Sequence, residues 1–371
     1  RFWRMPAEHL KLTEAMCYDG TPHWLQRDWA ENNGWFVREF RVTWDAAVAI
    51  LSRGIPFAIS TVEATFAHMQ AVTGFDRTRG TLLLRDPGQP YIVEVPADEF
   101  IKRYRPFGPH GTLFLPVAER SRIEGLALPD SDICDDYHRL CLALSKHHRE
   151  EAVRVLSEID SRFPEHELAW EARLELASYD ANNSEQARCL DKLLELFPNN
   201  PARQLPRFGC LRDAPREERI RFLKGACAAK DADTALFIEL ARALQGDARC
   251  LPEARQWLKR AFSLRPMDSN AIGVRADLCW QDGNLEEATE LYRFAANLEG
   301  FREALYQTWF IACRRTRHTQ EALTHLQDRF ARFGRRSEQP ALTLAWAWRE
   351  LDQPARSREV LAEAAHLRPE D

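Results

Sequence analysis

Residues 67–87 read AHMQAVTGFDRTRGTLLLRDP and have the pattern of a β-hairpin. Two apolar runs, at 67–75 and 81–84, flank a short polar loop. The loop, residues 76–80, ends in the glycine that hairpin connections of this length favour. This pattern predicts two antiparallel strands, and the rest of the N-terminal sequence can be arranged around them.

The predicted register brings three polar side chains together. We expect Phe75 to pair with Thr81 across the hairpin. In that register Gln70 lies opposite Asp86, and His68 is diagonal to Asp86 on the same face, because side chains alternate along a strand. Diagonal neighbours lie about 7–8 Å apart at the backbone, and long side chains can bridge that distance. The sequence therefore predicts an imidazole and a carboxylate in contact at one end of the hairpin.

Such a pair suits acid–base chemistry. A carboxylate fixes the tautomer of the imidazole and raises its basicity, which a general base for a thiol or hydroxyl nucleophile requires. His68 and Asp86 are the candidate catalytic residues, and Gln70, on the same face, is a candidate substrate contact. The alternative is a purely structural His–Asp pair, which the spacing alone does not exclude.

The segments around the hairpin resemble a known family. The run Trp35–Pro116 is similar to the C39 peptidase-like domain, a relative of the papain-like cysteine peptidases. The matching segments are RGIPFAIS (53–60), AHMQAVTGFD (67–76), GTLLLRDP (80–87), VPADEFIKRYRPFGP (95–109) and GTLFLP (111–116). The resemblance implies a papain-like α+β fold, in which the family's histidine and aspartate fall on His68 and Asp86.

The nucleophile of that family is harder to place. The resemblance implies a cysteine at the start of an N-terminal helix, whereas residues 1–12 resemble the end of that helix and the segment after it. We therefore expect the cysteine, where the parent protein has one, upstream of Arg1. Cys17 precedes His68 and Asp86 in the papain-like order, but it follows a predicted helix at residues 6–16 rather than beginning one. A small buried cysteine is the simpler interpretation of Cys17.

Composition limits the remaining classes of function. A net charge of −5 over 371 residues gives no general attraction to nucleic acid or to an anionic membrane. The nine cysteines include no C-x-x-C pair, which argues against a zinc site and a disulfide framework and favours a reduced, cytoplasmic location. No apolar run approaches the ~20 residues that span a bilayer. We expect no cofactor, no metal, no nucleic acid and no membrane partner.

The order of predicted elements divides the chain. Helices come first and short strands follow, which is an α+β order. We expect a C39 peptidase-like domain over residues 1–117, without its nucleophile helix, and a linker over residues 118–131. Residues 132–371 are then a separate all-α region.

That region repeats with a period of 34 residues. Turn-forming or small residues recur at this spacing, namely Pro164, Pro198, Ala232, Pro266, Gly300 and Gly334. Small and large residues recur at fixed distances before each of them, as helix pairs that cross closely require. The pattern resembles the tetratricopeptide repeat and predicts a superhelix of about seven helical pairs. The third pair is degenerate, with Lys224 at an apolar position.

Repeat arrays of this kind present an extended concave face. By resemblance, we expect a protein or peptide partner on that face. Tryptophans within the repeats could be anchors for it, although core positions are commoner for such residues. The tryptophans concerned are Trp170, Trp280, Trp309, Trp346 and Trp348.

Two hypotheses for function follow. In the first, a C39-like cysteine peptidase domain is coupled to repeats that bind a partner or substrate. In the second, the chain is a non-catalytic interaction scaffold, and the papain-like domain is a binding module. The family is best known for cutting leader peptides in exporters, but the chain shows neither transporter helices nor a P-loop, so that substrate class does not carry over.

Overall fold

The structure is a computed structural model that describes residues 23–63, 65, 67–86, 89–104, 110–230 and 232–368. Cys17 and the helix expected at residues 6–16 lie outside these residues. The described chain forms two compact units, over residues 23–233 and 234–368.

The first unit begins with a six-stranded antiparallel sheet in the order β1-β6-β2-β3-β4-β5. Its strands are β1 (Trp35–Arg41), β2 (Phe57–Val62), β3 (Ala67–Asp76), β4 (Thr81–Arg85), β5 (Ile92–Pro96) and β6 (His110–Pro116). Three helices accompany the sheet: α1 (His23–Asn32), α2 (Trp44–Ser52) and α3 (Ala97–Tyr104). The α+β fold expected for this part of the chain is confirmed.

One face of the sheet is buried beneath α2 and α3. Thr43 caps α2, because its Oγ1 accepts a hydrogen bond from Ala46 N at 3.2 Å. The apolar face of α2 then packs on inward-facing strand residues. The fully buried ones include Ile59, Val72, Leu82 and Leu84. This core holds β2, β3 and β4 in fixed positions and so fixes the candidate site at their ends.

Gly111 is needed where β1 and β6 pair. A Cβ on Gly111 would collide with the Phe40 ring, and it would lie 2.8 Å from Val42 Cγ2. Phe40 is directly paired with Gly111 and is fully buried, so it has no room to move. We expect Gly111→Ala to lower the free energy of unfolding by about 3 kcal/mol through overpacking, measured by urea denaturation.

Gly225→Ala is the matched control for that substitution. Gly225 lies inside a helix of the same unit, and a Cβ there meets no atom within 4 Å. Alanine in a helix is favoured over glycine by up to about 1 kcal/mol, so this variant should gain stability. Equal effects of the two substitutions would contradict the packing described for Gly111.

Fourteen helices follow the sheet in the described part of the chain. They are α4 (Ser131–Ser145), α5 (Arg149–Arg162), α6 (Glu167–Tyr179), α7 (Asn183–Leu196), α8 (Pro201–Gly209), α9 (Arg216–Cys227), α10 (Thr234–Leu244), α11 (Leu251–Leu264), α12 (Ser269–Gln281), α13 (Leu285–Leu298), α14 (Glu303–Arg315), α15 (Thr319–Phe333), α16 (Gln339–Glu350) and α17 (Pro354–Leu367). They form seven consecutive pairs, and the second helices begin 33–35 residues apart. The tetratricopeptide-like fold expected for this region is confirmed.

The repeat pattern has a physical basis in the pairs. The small residue expected in the second helix is fully buried in most of them, as at Ala152, Ala254 and Ala288. The degenerate third pair departs by one position, because Lys224 is exposed and the adjacent Leu223 is fully buried in its place. The apolar contact is therefore kept, although the sequence pattern fails at that position.

The sixth pair departs from the repeat pattern at a different position. Arg329 stands where a small residue is expected, and it is buried. Its guanidinium lies 2.6 Å and 2.9 Å from the two carboxylate oxygens of Glu303 and stacks 3.6 Å from the Tyr306 ring centroid. These partners compensate for burying the charge.

The segment between the sheet and the helices is packed rather than extended. It forms a 3₁₀ helix at Val117–Ile123, and Leu126 and Leu128 pack against the core of the sheet. Arg53 ties it down by donating hydrogen bonds to the carbonyls of Arg122 and Glu124, each at 2.8 Å. The region expected as a linker is thus part of the fold of the first unit.

A buried charged cluster joins the first repeat helix to the sheet. Arg27 of α1 donates to Glu31 at 2.9 Å and to Asp135 of α4 at 2.8 Å, and it lies 3.9 Å from Glu39 of β1. Arg38 of β1 also bonds Asp135. Arg27 and Glu39 are both buried, so their interaction is only weakly screened by water. We call these residues the junction cluster.

Candidate active site

His68 and Asp86 are in direct contact at one end of the sheet. His68 is the second residue of β3, and Asp86 directly follows β4. Their side chains meet with His68 Nε2 2.7 Å from Asp86 Oδ2. The Asp86 side chain is 13% exposed and the His68 side chain 39% exposed. The carboxylate is therefore shielded, whereas the imidazole can be approached from outside.

A β-bulge produces this contact. Near the turn the register differs from the predicted one by a residue, because Phe75 pairs with Leu82 rather than with Thr81. The ladder then shifts between Val72 and Gly74, which leaves Thr73 as the extra residue.

Beyond the bulge, the alignment returns to the predicted one. Val72 pairs with Leu84 and Ala71 with Arg85, so the next pair in sequence is Gln70 with Asp86. Side chains two residues apart on a strand point to the same face. His68 and Gln70 therefore share a face with buried Val72, and Asp86 shares one with buried Leu84. The three polar side chains therefore share the sheet face that packs against α2.

The contact determines which imidazole nitrogen can react. An ionised carboxylate only accepts hydrogen bonds, so His68 must carry its proton on Nε2 when neutral. Nδ1 then holds the lone pair. This arrangement can take a proton from a nucleophile that approaches Nδ1.

Gln70, the candidate substrate contact, also bonds within the site. Its side-chain Nε2 donates to Asp86 Oδ2 at 2.5 Å, the same oxygen that His68 contacts. Its Oε1 is buried and has no hydrogen-bond partner among the described residues. Gln70 was a candidate substrate contact, yet its amide nitrogen is already bonded within the site.

The eight described cysteines all lie in the helical part, at residues 134–313. Burial raises the pKa of Cys189 and of Cys313 to about 12, and it also raises the pKa of Cys134 and Cys141. Thiols of this kind stay protonated and react slowly. Cys17, the only cysteine of the sequence before residue 130, lies outside the described residues.

The tryptophans of the repeats are mainly packing residues. Trp309 and Trp348 are buried within the core of the second unit. Trp280 and Trp346 are partly buried against the same core, and Trp170 packs against Leu174, Cys189 and Leu190.

Over the described ranges, no group of three or more His, Cys, Asp or Glu side chains is arranged to hold a metal ion. No described helix has the length and apolarity needed to cross a membrane.

Comparison with protein families gives a match in the N-terminal part of the chain. The model of the Peptidase_C39 like family matches residues 8–112, which include both His68 and Asp86. The N-terminal part of the chain is thus a C39-like peptidase domain, and tetratricopeptide-like repeats follow it. A search of curated proteins gave no match.

Several solved structures are similar to the helical part. The Cut9–Hcn1 hetero-tetramer of APC/C is 13% identical with a TM-score of 0.42, covering 63% of this chain and 46% of that one. The type IV pilus biogenesis factor PilW is 17% identical with a TM-score of 0.41, covering 57% and 98%. MamA is 16% identical with a TM-score of 0.32, covering 45% and 91%. This chain therefore spans less than half the length of the Cut9–Hcn1 chain that it matches.

Proposed function

We propose that this chain carries a C39-like cysteine peptidase domain whose helical repeats bind a protein or peptide partner on their concave face. The observation that supports catalysis is the 2.7 Å contact of His68 Nε2 with a shielded Asp86, while the His68 side chain itself is 39% exposed. A pair with only a structural role does not require an exposed imidazole.

The chemistry follows the general pattern of a thiol–imidazole pair. His68 Nδ1 takes the proton from a cysteine thiol, and the thiolate attacks the carbonyl carbon of a peptide bond. The protonated imidazole, stabilised by Asp86, gives the proton to the leaving amine as the C–N bond breaks. Water, deprotonated by the same imidazole, then hydrolyses the thioester and releases the thiol.

The interaction-scaffold alternative is supported by a different observation. Helical pairs occupy residues 131–367, about two-thirds of the sequence, and Glu171 of α6 is bound at 2.5 Å by Arg203 of α8, which ties consecutive first helices together. Consecutive helical pairs suit partner binding whether or not the N-terminal domain cleaves peptides.

Alkylation of the natural full-length protein distinguishes the two. At pH 6 the buried cysteines whose pKa is raised, such as Cys189 and Cys313, are protonated, so iodoacetamide should modify one N-terminal-domain cysteine roughly 100-fold faster than these. Mass spectrometry identifies the modified residue. A Cys17→Ser variant shows whether the reactive thiol is Cys17 or another cysteine of the parent protein.

His68→Ala is the control for this experiment. Without the imidazole the thiolate is not stabilised, and the fast reaction should slow at least tenfold while the repeat cysteines are unaffected. Fast modification that does not depend on His68, or the lack of any fast thiol, would favour the scaffold.

A further inference from the structure

Gln70 lies between the reactive end of β3 and the apolar core. On its own strand it is two residues from His68 on one side and two residues from buried Val72 on the other. Its Nε2 donates to Asp86 Oδ2 at 2.5 Å, and His68 Nε2 reaches that oxygen at 2.7 Å. One carboxylate oxygen therefore receives hydrogen bonds from two neighbouring side chains of one strand.

The carboxylate fixes the orientation of the Gln70 amide. If the amide were flipped, its oxygen would face Asp86 Oδ2, and two acceptors would repel each other. In the observed orientation Oε1 is buried and bonds to no described residue. An unsatisfied buried acceptor is unfavourable, and a leucine in this position would avoid that cost. What glutamine supplies here, and leucine cannot, is the bond to Asp86.

Asp86 lies just beyond the last ladder pair of β4, Ala71 with Arg85, and its backbone carbonyl accepts from Gln89 N at 3.2 Å. The bond from Gln70 adds a side-chain contact from the neighbouring strand. Arg85 donates to the Gln89 and Tyr91 carbonyls. At the end of β2, Glu63 accepts from Arg103 and Tyr104.

We infer that Gln70 is a positioning residue, which holds the Asp86 carboxylate in the orientation that keeps His68 Nδ1 directed at the nucleophile. This inference rests on the proposed function and deepens it. It replaces the expected role of Gln70 as a substrate contact, because the amide nitrogen is already committed to Asp86.

Steady-state cleavage of a peptide library by the natural full-length protein tests the role. Gln70→Leu should lower kcat by roughly 10- to 100-fold and leave KM within about twofold, because a misdirected base slows the reaction without weakening substrate binding. Met69→Leu, on the opposite face of the same strand, controls for disturbance of the strand and should change neither constant. A Gln70→Leu variant in which KM rises and kcat is unchanged would show a substrate contact and overturn the inference.

A second readout needs no catalysis. In protein labelled with ¹⁵N-histidine, the Nε2–H proton of His68 should exchange slowly with water, because it is bonded to a held carboxylate. His68→Ala identifies the signal by its loss. In Gln70→Leu, with an unchanged melting temperature, we expect exchange at least tenfold faster, and an unchanged rate would overturn the inference.

The two measurements separate this inference from the proposed function. Faster proton exchange in Gln70→Leu, in a protein that cleaves no peptide, would support the positioning role and reject the peptidase function. Cleavage that depends on His68, together with unchanged exchange in Gln70→Leu, would support the peptidase and remove the positioning role.

Discussion

Replacing His68 with alanine is expected to reduce peptide cleavage by the natural full-length protein by about 10⁴-fold, while its fold persists. Loss of one member of a nucleophile–base unit removes nearly all the rate enhancement that the unit provides. The side chain is 39% exposed at the end of a strand, so its removal leaves no buried cavity. Cleavage can be followed as new amino termini released from denatured protein.

Met69→Leu is the matched control for His68→Ala. Met69 follows His68 on the same strand, pairs with Ser60 and lies on the opposite face. We expect its cleavage rate to stay within about twofold, because a volume-conserving apolar substitution is tolerated best. Cleavage by His68→Ala at the wild-type rate would eliminate His68 as the general base.

Replacing Arg27 with methionine is expected to lower the free energy of unfolding by about 3–5 kcal/mol at pH 8. Removing one partner of a buried ion pair leaves the other charge without compensation, and that penalty exceeds the worth of the pair itself. Here the buried partner is Glu39, 3.9 Å away, and Asp135 also loses a hydrogen bond. Urea denaturation followed by tryptophan fluorescence measures the change.

The effect should depend on pH in a defined direction. Burial raises the pKa of Glu39 from 4.5 to about 7, although Arg27 opposes the shift. Because the folded-state pKa is the higher one, the contribution of Glu39 to stability is complete below pH 4.5 and is lost as pH rises through 7. That contribution amounts to about 3 kcal/mol. The Arg27→Met penalty should therefore be smaller at pH 5 than at pH 8.

Glu39→Gln provides the control for the pH dependence. Glutamine does not titrate, so the decline in the free energy of unfolding that Glu39 causes between pH 5 and 8 should disappear. The part due to Glu171, whose pKa burial also raises to about 7, should persist. In Arg27→Met combined with Glu39→Gln, part of the lost stability should return. An Arg27→Met penalty that is the same at both pH values would contradict the role given to Glu39.

Much of the N-terminal fold can be predicted from local sequence signals. The hairpin predicted over residues 67–87 is present as strands β3 and β4. A regular ladder predicts the alignment of His68 with Asp86. In the structure the pairing near the turn is displaced by one residue from the predicted register, and the bulge at Thr73 restores that register. A bulge of this kind depends on the packing of Phe75 and Val72 against one core, which spacing along the chain does not reveal.

The repeats were predictable because each pair must satisfy the same packing requirement. The failures occur where a neighbour compensates. Leu223 is buried where the pattern predicts an apolar residue at position 224. Arg329 occupies a position that otherwise holds a small residue, and its charge is paired with Glu303. A single-sequence pattern records the residue type at a position but not the partner that makes it acceptable.

The packing of α4 could not be foreseen. The sequence shows a loss of periodicity after residue 117, which is typical of a boundary, while the contacts that cross it are made by residues far apart in the chain. Arg27 and Asp135 are separated by 108 positions. Nothing in the local pattern of either residue indicates the other.

The junction cluster has a consequence for how the chain can be rearranged. Helical repeat arrays are commonly treated as modules that can be fused to a new catalytic domain at any loop. Here the first pair contributes Asp135 to the junction cluster, so grafting a foreign array at residue 131 would remove a carboxylate that bonds the buried Arg27. Because α4 also shares an apolar core with α5, the smallest transplantable piece keeps the whole first pair with the sheet, and new arrays should be spliced after Arg162.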